Sequence, residues 1–105
     1  MNESEFNRLA DATLYAIEEA LEACGVDIDF DNAGDILSLE FSNGSQIIIN
    51  KQRPLSQIWV AARSGGYHFD YDADNNRWCR DSSGEELFAS LGKYCSEQAG
   101  ETVTL

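Results

Sequence analysis

Ile36-Leu37-Ser38-Leu39-Glu40-Phe41-Ser42-Asn43-Gly44-Ser45-Gln46-Ile47-Ile48-Ile49-Asn50 reads as two strands folded back on each other. Asn43-Gly44 is a strong hairpin signal, because both residues tolerate the positive φ that tight strand reversals need. A tight reversal forces antiparallel pairing, since parallel strands need long crossovers. Upstream, Asp27-Ile28-Asp29-Phe30-Asp31 alternates with a period of two. That places Ile28 and Phe30 toward a core and the three aspartates toward water. Downstream, Pro54 marks a break, Gln57–Arg63 is strand-like, Gly65-Gly66 is expected to turn, and Tyr67–Tyr71 pairs back. Asp74-Asn75-Asn76 turns again, and Arg77–Arg80 makes a short edge strand.

Helical spacing flanks this run of strands. Phe6, Leu9, Ala10, Thr13, Leu14, Ile17, Leu21 and Cys24 form one apolar stripe from about Glu3 to Cys24. Asn2 with Glu5 resembles a capping box, and Gly25 supplies a stop. Ser82 and Ser83 stand three residues before Glu85 and Glu86, a doubled capping pattern. Leu87, Phe88, Leu91, Tyr94 and Cys95 then predict a second helix over roughly Glu85–Gln98, ended by Gly100. Each helix must bury one face, and the simplest arrangement puts both on one side of the sheet. The expected fold is α+β: a two-layer sandwich, two helices on one face of an antiparallel sheet of about six strands. At 105 residues there is room for a single domain, 1–105. The short tail after the second helix leaves one end of the core less covered, so modest stability is expected.

Charge is the other dominant feature. The first 35 residues carry ten carboxylates (Glu3, Glu5, Asp11, Glu18, Glu19, Glu22, Asp27, Asp29, Asp31, Asp35) against Arg8 alone, which is −9 of the chain's −12. Such self-repulsion costs stability and is not required by a fold. It suits hard cations and basic partners, and it argues against nucleic acid and anionic membranes, which demand Lys and Arg. The remaining bases (Lys51, Arg53, Arg63, Arg77, Arg80, Lys93) look scattered. Three widely spaced cysteines, an acidic N-terminus without an apolar h-region and no long apolar run point to a soluble cytoplasmic protein.

At 100° per residue, Asp11, Glu18 and Glu22 share one edge of the first helix, with Glu19 further round. Together with Asp27, Asp29 and Asp31 they offer oxygen ligands for Ca²⁺, Mg²⁺, Mn²⁺ or iron. Alternate strand residues are roughly 6.5–7 Å apart, so weak, multiple, partly hydrated sites are expected. The bland alternative is a solvated face that serves solubility. Asp27-x-Asp29-x-Asp31 and Asp70-x-Asp72-x-Asp74 imitate the start of an EF-hand loop, but both lack its glycine and its closing glutamate. His68 reads as a surface histidine. No P-loop, nucleophile elbow or dinucleotide motif is present. In the strand after Pro54, Gln57 and Trp59 point to the open face. An outward tryptophan near an arginine has the composition of an interaction hot spot, unless neighbours on the sheet half-cover it.

The run Asn43-Gly44-Ser45-Gln46-Ile47-Ile48-Ile49-Asn50-Lys51-Gln52-Arg53-Pro54-Leu55-Ser56-Gln57-Ile58-Trp59, followed by Gly65-Gly66-Tyr67-His68-Phe69-Asp70, resembles the frataxin family, most closely its bacterial branch. The likeness extends from Glu5-Phe6 and Arg8–Asp11 to Ala99–Val103. It implies a helix–sheet–helix fold and a role in iron–sulfur cluster assembly as an iron-binding regulator rather than an enzyme, with at most weak ferroxidase activity. The implied cofactor is weakly held, labile iron (Fe²⁺ or Fe³⁺), for which other divalent or trivalent cations can substitute. The implied metal residues are Glu3, Asp11, Glu18, Glu19, Glu22, Asp27, Asp29 and Asp31, with Glu5 at the margin. The implied partners are the cysteine desulfurase and iron–sulfur scaffold proteins, met through Glu18, Glu19, Glu22, Asn50, Gln52, Pro54, Gln57 and Trp59. A monomer is expected, with iron-linked association left open. Asn7 and Gln57 stand where some bacterial members carry histidines, so a site built on those imidazoles is not expected. Two other readings compete: a ferroxidase or iron-storage protein, and a metal-independent acidic interaction domain.

Overall fold

Asn2 opens the first helix by accepting the Glu5 N–H on its Oδ1 at 2.8 Å. This is the Asn2 half of the expected capping box. The helix, α1, runs Glu3–Ala23 in the computed structural model, which describes residues 1–105. Gly25 follows with φ +79°, the left-handed conformation that ends helices and that glycine adopts without strain. The strands are β1 (Ile28–Ala33), β2 (Ile36–Phe41), β3 (Gln46–Gln52), β4 (Gln57–Ala62), β5 (Gly65–Asp72) and β6 (Arg77–Arg80). A single 3-10 turn, Arg53–Leu55, joins β3 to β4 at Pro54, and α2 (Leu87–Ala99) closes the order. The six strands lie in sequence order and every neighbouring pair is antiparallel.

Both helices bury their stripes against one face of this sheet. Phe6, Ala10, Leu14, Ile17 and Leu21 of α1 meet Leu37, Leu39, Ile47, Ile49, Ile58, Val60 and Phe69 of the sheet in one continuous core. Leu87, Leu91, Tyr94 and Cys95 of α2 complete it. Trp78 packs edge-on to Phe6 and donates its indole N–H to Thr13 Oγ1 at 2.9 Å, which ties β6 to α1. Burial pushes the Cys95 thiol up to about 12. The tail after α2 turns back: Val103 is 4% exposed, its N–H donates to Ser96 Oγ at 2.8 Å, and Leu105 packs against the core. The short tail therefore covers the end of the core that the sequence left open.

Two local expectations are corrected. The β4–β5 turn lies at Arg63-Ser64, because Ala62 pairs with Gly65 and Ala61 with Gly66. Gly65 and Gly66 open β5, and Gly65 holds φ +151°, a backbone state that side chains rarely allow. The second helix starts at Leu87 and is capped by Glu86, not by Ser82 or Ser83. Residues 85–86 stay extended: the Arg80 N–H donates to the Glu85 carbonyl at 2.8 Å, and Cys79 bridges to Glu86. The Glu86 carboxylate then accepts the Phe88 and Ala89 N–H groups at 2.7 and 3.0 Å. The Asn43-Gly44 hairpin forms with a longer loop than two residues. Gly44 (φ +85°) donates to the Phe41 carbonyl, and Phe41 donates to Ser45, the pattern of a turn followed by a glycine bulge. Asn43 also reaches across to the Gln98 carbonyl at 2.7 Å.

Candidate functional site

The acidic residues occupy two banks that meet over the edge strand β1. On β1, Ile28 and Phe30 turn to the helix layer, so Asp29 and Asp31 turn to the open sheet face. Asn32 shares the helix side and donates its Nδ2 to Glu18 Oε2 at 3.0 Å, which fastens the middle of α1 to β1. Glu19 and Glu22 stand exposed on α1, and Asp27 is exposed just before β1. Helix edge and strand are therefore neighbours as expected, but the strand aspartates face away from the helix glutamates. No three histidine, cysteine, aspartate or glutamate side chains converge closely enough to enclose one ion. The donors are all oxygen, solvated and spread along an edge. That chemistry fits hard cations held loosely with much of their water retained. Neither Asp-x-Asp-x-Asp run forms an EF-hand loop: Asp29 and Asp31 are in β1, Asp70 and Asp72 in β5.

The N-terminal end of the ridge differs. Lys51 of β3 faces the helix layer beside Ile47 and Ile49 and is 6% exposed. Its ammonium donates to Asp11 Oδ1 at 2.5 Å and lies 3.4 Å from Asp35 Oδ1. Arg53 donates to both oxygens of Asp35, at 2.9 Å from Nε and 2.8 Å from Nη2, and approaches Glu3 at 3.7 Å. The Arg53 guanidinium beside it holds the Asp35 carboxyl below its usual range. Glu3 and Asp11 are thus engaged with bases. Glu18, Glu19, Glu22, Asp27, Asp29 and Asp31 have no base at ion-pair distance. The pairing of Lys51, Arg53 and Asp35 is not expected from sequence; its signal is that Lys51 sits two residues from Ile49 in an alternating strand and so shares the core-facing side.

The open sheet face carries the second group. Asn50, Trp59 and His68 lie in one cross-strand row, and Gln52, Gln57 and Asp70 in the next. Trp59 is half-buried. Its ring stacks on His68 with centroids 4.3 Å apart and planes at 15°, and its N–H donates to Gln57 Oε1 at 2.8 Å. Gln57 in turn donates to Asp70 Oδ1 at 3.0 Å. His68 is exposed, as a surface histidine is expected to be, and it is also the stacking partner of Trp59. A shallow depression of about 170 Å³ lies beside the stack, floored by Ile48, Ala61 and Gly66. Pro54, exposed in the 3-10 turn, stands at the end of the face. The two surfaces are continuous, since Asp31, Ser38, Ile48 and Ala61 form one row from β1 to β4. Three strand spacings separate Asp31 from that row's β4 end, roughly 14–15 Å. Glu40, opposite Asp29 on the same face, extends the acidic bank and was also missed in the sequence. No helix is long and apolar enough to cross a membrane.

These features define a class: a two-layer α+β domain with a solvated acidic edge running into a polar, tryptophan-centred sheet face. The frataxin-like domain pattern matches residues 1–101, and the chain belongs to the frataxin family, in its bacterial CyaY-type branch. It is 50% identical over 103 residues to the iron-sulfur cluster assembly protein CyaY of Photobacterium profundum, covering 98% of this chain and 96% of that one. It is 48% identical to the protein of the same name from Pseudomonas aeruginosa, with 98% and 95% covered. Among solved structures, frataxin from Psychromonas ingrahamii superposes with a TM-score of 0.91 at 44% identity, covering 99% and 97% of the two chains. Yeast frataxin superposes at 0.61 with 27% identity, over 90% and 83%.

Proposed function

We propose that this chain is an iron-responsive regulator of iron–sulfur cluster assembly that docks on the cysteine desulfurase and its scaffold. The observation that carries this reading is a shared surface: the uncompensated strand carboxylates and a locked tryptophan lie on one sheet face, with two strands between them. The edge, Glu18, Glu19, Glu22, Asp27, Asp29 and Asp31, takes iron weakly through oxygen ligands, with Asp11 reaching a cation only in competition with Lys51 and Glu3 only loosely paired with Arg53. The same charge draws the protein to a basic patch on its partner, an attraction that salt screens. Asn50, Gln52, Pro54, Gln57 and Trp59 supply short-range contacts. The Trp59 ring is already fixed by His68 and Gln57, so little side-chain entropy is lost when it is covered.

Iron on the edge neutralises part of the field that steers docking, which links metal to partner in one molecule. A ferroxidase reading needs histidine and carboxylates in a fixed di-iron geometry. The single histidine, His68, is stacked on Trp59 and away from the edge carboxylates. The test is binding to immobilised cysteine desulfurase. Trp59→Ala should weaken it about 30-fold, the scale of a hot-spot truncation. Reversing Glu18, Glu19 and Glu22 to Lys should weaken it further and flatten its salt dependence. Indifference to both changes would remove these surfaces from the docking reading.

A further inference from the structure

Building on the iron-binding edge proposed above, we infer that Lys51 is a resident counter-ion that withholds Asp11 from metal, beside an Asp35 already clamped by Arg53, and so decides where on the ridge a cation sits. Asp11 and Asp35 come from α1 and the β1–β2 turn, and the Lys51 ammonium lies between them, at 2.5 and 3.4 Å. Two carboxylates facing one position from separate elements are the start of a hard-cation site. Here the position is filled by an amine of the protein itself.

Burial makes this occupancy persistent. The Lys51 side chain is 4% exposed, whereas Asp11 is 62% exposed and Asp35 39%. An exposed carboxylate can turn to a metal ion at little cost. Its doing so would leave a buried ammonium short of a partner, which is the expensive half of breaking a buried pair. Metal binding at Asp11 is therefore opposed by the lysine it abandons. Arg53 does not act alike on Glu3: those side chains are 42% and 70% exposed, 3.7 Å apart, and well screened. Further along, Glu18, Glu19, Glu22, Asp27, Asp29 and Asp31 carry no such guard. The ridge is thus divided into a self-neutralised end and an open end, and Lys51 sets the boundary.

The experiment is calorimetric titration of Mn²⁺ alone into the intact protein and three variants, with thermal melts in parallel. Lys51→Met keeps the length and apolar stem while removing the charge. It should gain a site tighter than any in the parent by about tenfold, the effect of removing one competing unit charge at ion-pair distance. Its melting temperature should rise with Mn²⁺ more than the parent's, and adding Asp11→Asn should erase both gains. In the otherwise unaltered chain, Asp11→Asn should change Mn²⁺ affinity by no more than about twofold, while Asp29→Asn weakens it clearly. No gain in Lys51→Met, or a loss in Asp11→Asn as large as in Asp29→Asn, would overturn the inference. Should Lys51→Met fail to fold, the Asp11→Asn and Asp29→Asn comparison still decides it. Failure of the iron-edge reading looks different: parent affinity would be indifferent to Asp29→Asn, whatever Lys51→Met gains.

Discussion

Single side chains do unlike work in what looked like a uniform acidic surface. Asp35 is held ionised by Arg53, with its carboxyl pulled below the ordinary range. A carboxylate lowered in the folded state contributes stability above its unfolded pKa and loses it as pH falls through the folded one. The melting-temperature gap between the parent and Asp35→Asn should therefore be full near neutrality and close as pH drops below about 4. A gap that persists in acid would mean that the pair is not what Asp35 contributes. Cys95 is the opposite case. With its thiol pushed up to about 12 by burial, it should resist iodoacetamide in the native protein at pH 8 and react only on unfolding, as peptide mapping would show. The ten carboxylates of the first 35 residues were plain in the sequence. Which of them were already spent was not, because that depends on Lys51 lying 40 residues from Asp11.

Elements were legible where period and punctuation agreed. The α1 stripe, the Asp27–Asp31 alternation and the Asn43-Gly44 reversal all appear where the pattern put them. The misplaced turn shows why the rest was harder. A reversal at Gly65-Gly66 would set Trp59 opposite Asp72; the reversal at Arg63-Ser64 sets it opposite His68. Both registers keep the same residues on the open face, so alternation could not separate them. The stacked pair was hidden by that degeneracy. The Glu86 cap was hidden because an extended bridge to β6 delays α2, a tertiary effect that local spacing does not carry. The tail is the element whose contribution is easiest to measure. Val103 is buried among α2 and the sheet, so Val103→Ala should cost about 2 kcal/mol. That would lower the melting temperature by roughly 8–16 °C in a domain this small. A shift within error would show that the tail is only laid over the core.

At the scale of the whole molecule, the two-layer fold gives the sheet a free face and leaves β1 as an edge. Charge gathered on that edge and a rigid aromatic on that face can then address one partner together. The carboxylates lie along a border rather than around a cavity, the geometry from which the proposed weak and exchangeable grip on cations follows. On the function proposed above, iron bound there would lower the net negative charge where docking begins, and regulation would require no change of fold. The most direct test is sulfide production by purified cysteine desulfurase with its scaffold, with and without this protein, across a range of iron concentrations. The account predicts a change in rate that grows with iron and disappears when Glu18, Glu19 and Glu22 are reversed to Lys. A rate unchanged at stoichiometric and excess protein, with or without iron, would contradict it.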